Sequence, residues 1–144
     1  MDEIYRLSND RSLYLRLTSP HEAGESLGKK RGKQNFLEKT AKIMDEHTPR
    51  FGRRWNFAGA LQPHSRRNMP NVVATCRAFV RRFDPERTCV VFLSPDRHGV
   101  SLRGTERMDL VDGLREIATV EIFWIDARDR TVNGRLLADF FNFT

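Results

Sequence analysis

The chain has 144 residues, 39% of them apolar and 31% charged, with a formal net charge of +6. That length supports a hydrophobic core without staples and is read as a single domain over 1–144. No apolar run approaches the roughly 20 residues of a membrane helix, and Met1-Asp2-Glu3 is not the basic opening of a signal peptide. Cys76 and Cys89 each lie in an apolar run and read as buried free thiols. The expected setting is therefore intracellular, cytoplasmic or nuclear, with no membrane partner.

In chain order, residues 3–18 read as a β-hairpin. Leu13, Leu15 and Leu17 alternate with Tyr14, Arg16 and Thr18, the period of a half-buried strand, and Asn9-Asp10 supplies the turn. Residues 19–34 hold Pro20, Gly24, Gly28 and Gly32 with Lys29, Lys30, Arg31 and Lys33, and read as a basic flexible arm. A helix over 35–46 follows, capped by Asn35 and stopped by Thr48-Pro49. Trp55 to Leu61 reads as a strand, and a helix begins at Asn68–Pro70 and runs to about Phe83, ended by Asp84-Pro85. Its apolar stripe is Val72, Cys76, Phe79, Val80 and Phe83.

Thr88 to Ser94 is a continuous apolar run, expected as a central strand. A turn over 95–99 leads to a short return strand at Val100–Arg103, and Thr105 is expected to cap the next helix. Thr119 to Ile125 is the strongest strand signal, and a terminal helix carries Leu136, Leu137, Phe140 and Phe141. The order over about 55–126 predicts an α+β fold, a ferredoxin-like split βαββαβ sandwich with the hairpin and extra helices as additions. The alternative is an open α/β sheet with parallel neighbours.

Charge is unevenly spread. Residues 49–87 carry nine arginines against Asp84 and Glu86, while 1–48 sum to +1 and 88–144 to −2. Three Arg-Arg pairs punctuate that stretch: Arg53-Arg54, Arg66-Arg67 and Arg81-Arg82. Guanidinium groups stay charged and grip phosphate through two parallel hydrogen bonds. With Arg50, Trp55 and Arg77, and with Lys29, Lys30, Arg31 and Lys33 of the arm, they form the predicted nucleic-acid-binding set. On the helix, Arg77, Arg81 and Arg82 fall opposite the apolar stripe, and helical placement plus the flanking segments suggests one continuous surface. Phe51, Trp55 and Phe57 lie beside these cations. Trp55 and Phe57 share one strand face, which either stacks bases or fills the core.

Catalysis finds little support in the sequence. The histidines are scattered, the two tyrosines lie far upstream, and no phosphate loop, metal-ligand spacing or nucleophile motif is present. His64 beside Arg66-Arg67 is the single candidate for a general base on RNA. Asp96, Glu121 and Asp126 mimic part of a divalent-metal nuclease site, but no lysine follows Lys42. The expectation is a nucleic-acid-binding protein without catalysis or cofactor, preferring single-stranded nucleic acid or structured RNA, since no helix-turn-helix or zinc finger is evident. The alternative is an interaction module (an adaptor, inhibitor, or viral or phage accessory protein) whose basic patch meets an acidic protein. The apolar residues Phe140 to Phe143 leave homo-oligomerisation open.

Overall fold

A computed structural model describes residues 2–51 and 54–141. They form four helices and five strands in two small sheets, a mixed α+β class. The chain divides into two compact units, Met1–Asp84 and Pro85–Thr144, and the boundary falls inside the 55–126 stretch.

In the first unit, β1 (Asp2–Arg6) and β2 (Arg11–Arg16) form the antiparallel hairpin expected from the sequence. Helix α1 (Phe36–Phe51) then carries the chain to β3 (Arg54–Gly59), which pairs with β2 in parallel, from Arg11 opposite Arg54 to Arg16 opposite Gly59. Helix α2 (Val72–Phe83) closes the unit.

The buried face of β2 is not the leucine face. Ser12, Tyr14 and Arg16 are buried, while Leu13 and Leu15 are half-buried and Leu17 is exposed. The inversion has a polar cause. Arg16 is 2% exposed and donates two hydrogen bonds to Glu25, which is equally buried; one measures 2.9 Å from Nη1 to Oε1. Lys39 Nζ lies 3.7 Å from Glu25, and Asp2 lies 3.9 Å from Arg16 Nε. Burial opposes the charge on Arg16, and the Glu25 contacts outweigh it, so its pKa is raised. A buried charge is tolerated only when paired and hydrogen-bonded. The segment after β2 supplies that partner: Ser19, Pro20, His21, Glu25 and Ser26 are all buried, so the first half of the 19–34 segment is packed. Only the basic half, 28–34, is exposed throughout.

Helix α1 is capped as expected, with Asn35 Oδ1 accepting from the Leu37 and Glu38 amides at 2.9 and 3.1 Å. It does not stop at Thr48-Pro49 but continues to Phe51. Proline in the final turn removes a single backbone bond, and the Thr48 hydroxyl holds the Met44 carbonyl at 2.8 Å beside it. Helix α2 starts later than expected, at Val72, with Asn71 as its cap. Residues 66–69 instead close a tight turn between Arg66 and Met69, with Arg67 at φ 56°, and the Pro70 carbonyl meets His21 Nε2 at 2.7 Å. The left-handed Asp84 ends α2.

An aromatic cluster fills the space under the helices. Phe57 meets Tyr14 edge-on at 5.4 Å and Phe79 at 4.9 Å, and Phe36 and Phe83 extend the group.

In the second unit, β4 (Thr88–Leu93) and β5 (Val120–Ile125) pair in parallel, Thr88 opposite Val120. Helix α3 (Gly104–Arg115) connects them and α4 (Arg130–Phe141) follows. Phe92 stacks on Trp124 at 4.5 Å, and Leu110, Leu114, Ile117 and Ile125 are buried. The predicted return strand at Val100–Arg103 does not form. The Val100 amide and carbonyl both close the Asp96 turn, and the Leu102 amide donates to Ser94 Oγ, so neither is free for a ladder. Thr105 lies inside α3, whose N-cap is Arg103 without a side-chain cap bond. These pairings are parallel and held in separate sheets. Local β-α-β order is what they share with a split βαββαβ sandwich.

Candidate nucleic-acid interface

The unit Met1–Asp84 holds 17 basic and 9 acidic residues, a balance of +8, and the unit Pro85–Thr144 holds 8 against 10, a balance of −2. Cationic side chains of the first unit gather at two ends of its sheet, with a further group on α2.

At the hairpin end, the parallel register sets Arg11 beside Arg54. Arg54 Nη1 donates to Asp10 Oδ2 at 3.1 Å, in a pair of which both side chains are more than half exposed. The Asp10 carboxyl is held below its ordinary pKa by the Ser8 hydroxyl and by Arg54. Arg6 and Arg50 lie over the Phe51 ring, 5.9 and 5.4 Å from its centroid, and the Arg6 guanidinium donates to the Arg50 carbonyl. Ser12 Oγ donates to the Phe51 carbonyl at 2.5 Å and ties the end of α1 to β2. Arg53 lies outside the described residues.

At the opposite end, where β2 and β3 finish, the exposed Arg66 and Arg67 sit in the tight turn before α2. A Cβ built at Gly24, itself left-handed at φ 71°, lies 4.0 Å from Arg67 Nη1, which places that guanidinium over the 19–26 segment. Lys30 Nζ donates to Asn68 Oδ1 at 2.9 Å, joining the basic arm to the same loop. Lys29, Arg31 and Lys33 stand exposed around the Lys30–Lys33 turn. His64 is exposed within this loop.

On α2, Arg77 is half-buried and Arg81 and Arg82 are exposed. Arg82 lies 3.6 Å from Glu38 in the first turn of α1, and its guanidinium covers Phe83 at 5.2 Å. Among the described residues, Arg50, Arg66, Arg67 and Arg81 form no ion pair with a carboxylate.

No protein-family model, curated protein or solved structure matches this chain. The functional reading therefore rests on these side chains alone.

The structure divides the predicted set. Arg54 and the Gly59 end of its strand stand about 17 Å apart at roughly 3.3 Å per residue, so Arg50 and Arg54 belong to one end and Arg66, Arg67 and the arm to the other. Trp55 faces α1, donating from Nε1 to Thr48 Oγ1 at 3.2 Å, and Phe57 is in the core. Their shared strand face is the covered one. Arg6 and Arg11 were missed by the sequence reading. They lie 39 to 48 residues from Arg50 and Arg54, and only the parallel β2–β3 pairing, which sequence order does not fix, brings them together.

The carboxylates of the alternative nuclease site are each engaged locally. Asp96 Oδ1 accepts from the His98 and Val100 amides at 2.8 and 3.0 Å. Glu121 lies 3.7 Å from Arg87. Asp126 takes two hydrogen bonds from the Arg128 guanidinium, at 2.9 and 2.8 Å, and one from the Arg128 amide, which hold its pKa down at about 2. Among the described residues no group of three His, Cys, Asp or Glu side chains is placed to hold a metal ion. Burial raises both thiols, Cys89 to about 11, so neither is a ready thiolate near neutral pH. Among the described residues no helix is long and apolar enough to cross a membrane.

Proposed function

We propose that this protein binds nucleic acid, single-stranded or structured RNA in preference to duplex DNA, through the arginine-rich surface of residues 1–84. The observation that carries the reading is the segregation of charge: +8 in one unit, −2 in the other, with Arg50, Arg66, Arg67 and Arg81 exposed and forming no ion pair among the described residues. A patch whose purpose was internal pairing would spend its guanidinium groups on carboxylates. Here Arg54 and Arg82 are paired, through exposed contacts to Asp10 and Glu38. Such pairs contribute little to stability and exchange readily for phosphate. The reading needs no split βαββαβ sandwich, only the three-stranded sheet and its two ends. We place it, with that partner, in an intracellular compartment as part of the same proposal.

The test is retention on immobilised single-stranded oligonucleotide, released by salt. Changing Arg53, Arg54, Arg66, Arg67, Arg81 and Arg82 to Ala should abolish retention while leaving the circular-dichroism spectrum unchanged. Unaltered retention by this folded variant would refute the reading.

A second reading draws on the exposed apolar residues Tyr5, Leu7 and Leu17 of the first unit. They suit a protein-interaction module, with the arginines meeting an acidic partner. Failure of the wild-type protein to bind any nucleic acid in low salt moves the weight there.

A further inference from the structure

The two cationic ends are joined by one face of the sheet. Strand alternation puts Ser12, Tyr14 and Arg16 of β2, with Trp55 and Phe57 of β3, on the helix side. The opposite side carries Leu13 and Leu15, with Asn56 and Ala58 beside them in register and Tyr5 and Glu3 on β1. This outer face has an apolar centre of Leu13, Leu15 and Ala58, half-buried at the two leucines and exposed at Tyr5, Asn56 and Ala58. Tyr5 is 46% exposed and Leu17, just past the end of β2, is 55% exposed. The one acid on the face, Glu3, accepts the Tyr5 hydroxyl. Arg11 and Arg54 border it at the hairpin end, and Lys30, Arg66 and Arg67 lie beyond the other.

We propose that a single nucleic-acid strand occupies both ends at once, its bases lying on the outer face and its phosphates held by the two groups of cations. This rests on the nucleic-acid reading above and adds the class of ligand: an unpaired strand long enough to span the sheet. A duplex turns its bases inward and has no use for an apolar ledge, whereas an unpaired strand gains by stacking on Tyr5. At the roughly 3.4 Å rise of a stacked strand, the 17 Å between the ends takes about five nucleotides. Shorter oligonucleotides reach one end; longer ones engage the second intramolecularly, at high effective concentration.

The experiment uses the full chain and fluorescence anisotropy with oligo-dT and oligo-rU of about 3 nucleotides, too short at roughly 3.4 Å each to join the two ends, and of about 15 nucleotides, at low salt. The expected result is that the longer strand of either sugar binds at least about tenfold tighter than the shorter one, one strand per chain. Arg11→Gln/Arg54→Gln and, separately, Arg66→Gln/Arg67→Gln should each bring the longer strand to within about threefold of the short-strand value. Tyr5→Ala should weaken the longer strand by about fivefold or more. Asp10→Asn, which releases Arg54, should tighten the short strand; it requires no loss of folding to read. Equal affinity for both lengths, an effect of only one arginine pair, two long strands per chain, no response to Asp10→Asn, or duplex binding as tight as single strand would each overturn the two-ended arrangement while leaving nucleic-acid binding standing. Binding to no oligonucleotide would overturn the underlying reading and this inference with it.

Discussion

Removing Glu25 should be among the most damaging single changes in the first unit. Glu25 and Arg16 are each 2% exposed, and the guanidinium is held by both carboxylate oxygens. Without Glu25, Arg16 keeps the Asp2 carboxylate, 3.9 Å from its Nε, and the Phe36 ring, 5.6 Å from its guanidinium. An uncompensated buried charge costs about 3–5 kcal/mol, so Glu25→Ala should fall in that range. Arg16→Met should fall toward its lower end, since Glu25 retains Lys39 at 3.7 Å. The double variant Arg16→Met/Glu25→Leu removes both charges and should cost about 1 kcal/mol or less, or be stabilising. Urea titration followed by Trp55 fluorescence, in a Trp124→Phe background, reports the first unit alone. At a slope of about 1–3 kcal/mol per molar, the single changes should lower the midpoint by about 1 M or more. Single-variant losses under about 0.5 kcal/mol, or a double variant as unstable as the worse single one, would refute the argument that the pair is buried and mutually dependent.

Other outcomes follow from particular contacts. Asn71→Ala removes the α2 cap to the Ala74 amide and should cost about 1 kcal/mol in the same urea assay; no loss would show that the cap is dispensable. A Cβ at Gly59 would lie 2.7 Å from Phe57 Cζ, and that ring is wedged against Phe79, so Gly59→Ala should cost about 1–3 kcal/mol by overpacking. A neutral result would show that the ring shifts freely. Asp126, at about 2 in the folded protein, lies below its ordinary value of about 3.9. Its contribution to stability is complete above that value and is lost as pH falls through about 2. Arg128→Ala should move the Asp126 carbon resonance midpoint up toward 4 in an NMR titration, and a midpoint that stays near 2 would contradict the assignment to the guanidinium.

The sequence made local features legible and left pairing and facing obscure. The hairpin turn, the Asn35 cap, the apolar stripe of α2 and its end at Asp84 are all set by residues within a few positions of each other, and each is found. Alternation along β2 identified a strand but not which face is covered. The polar face won because Glu25, nine residues on, satisfies Arg16. Pro49 predicts a stop because its missing amide is a local fact, whereas the support for one more turn comes from Thr48 and, through it, Trp55. Val100–Arg103 has strand composition, yet Asp96 and Ser94 take its amides. The arginine-rich character of the site was visible in composition. Its division between two ends was not, because that depends on β2 and β3 running parallel.

The central claim is that the cations of residues 1–84 engage phosphates, and the dependence of oligonucleotide affinity on salt measures this directly. For a strand of about 15 nucleotides, contact with about five phosphates predicts a slope of log affinity on log salt near −3.5. In the variant lacking the three arginine pairs, Arg11 and Lys30 remain of the five cations and the slope should fall to about −1.4. A flat dependence in the wild-type protein, or a slope unchanged in the variant, would contradict the account.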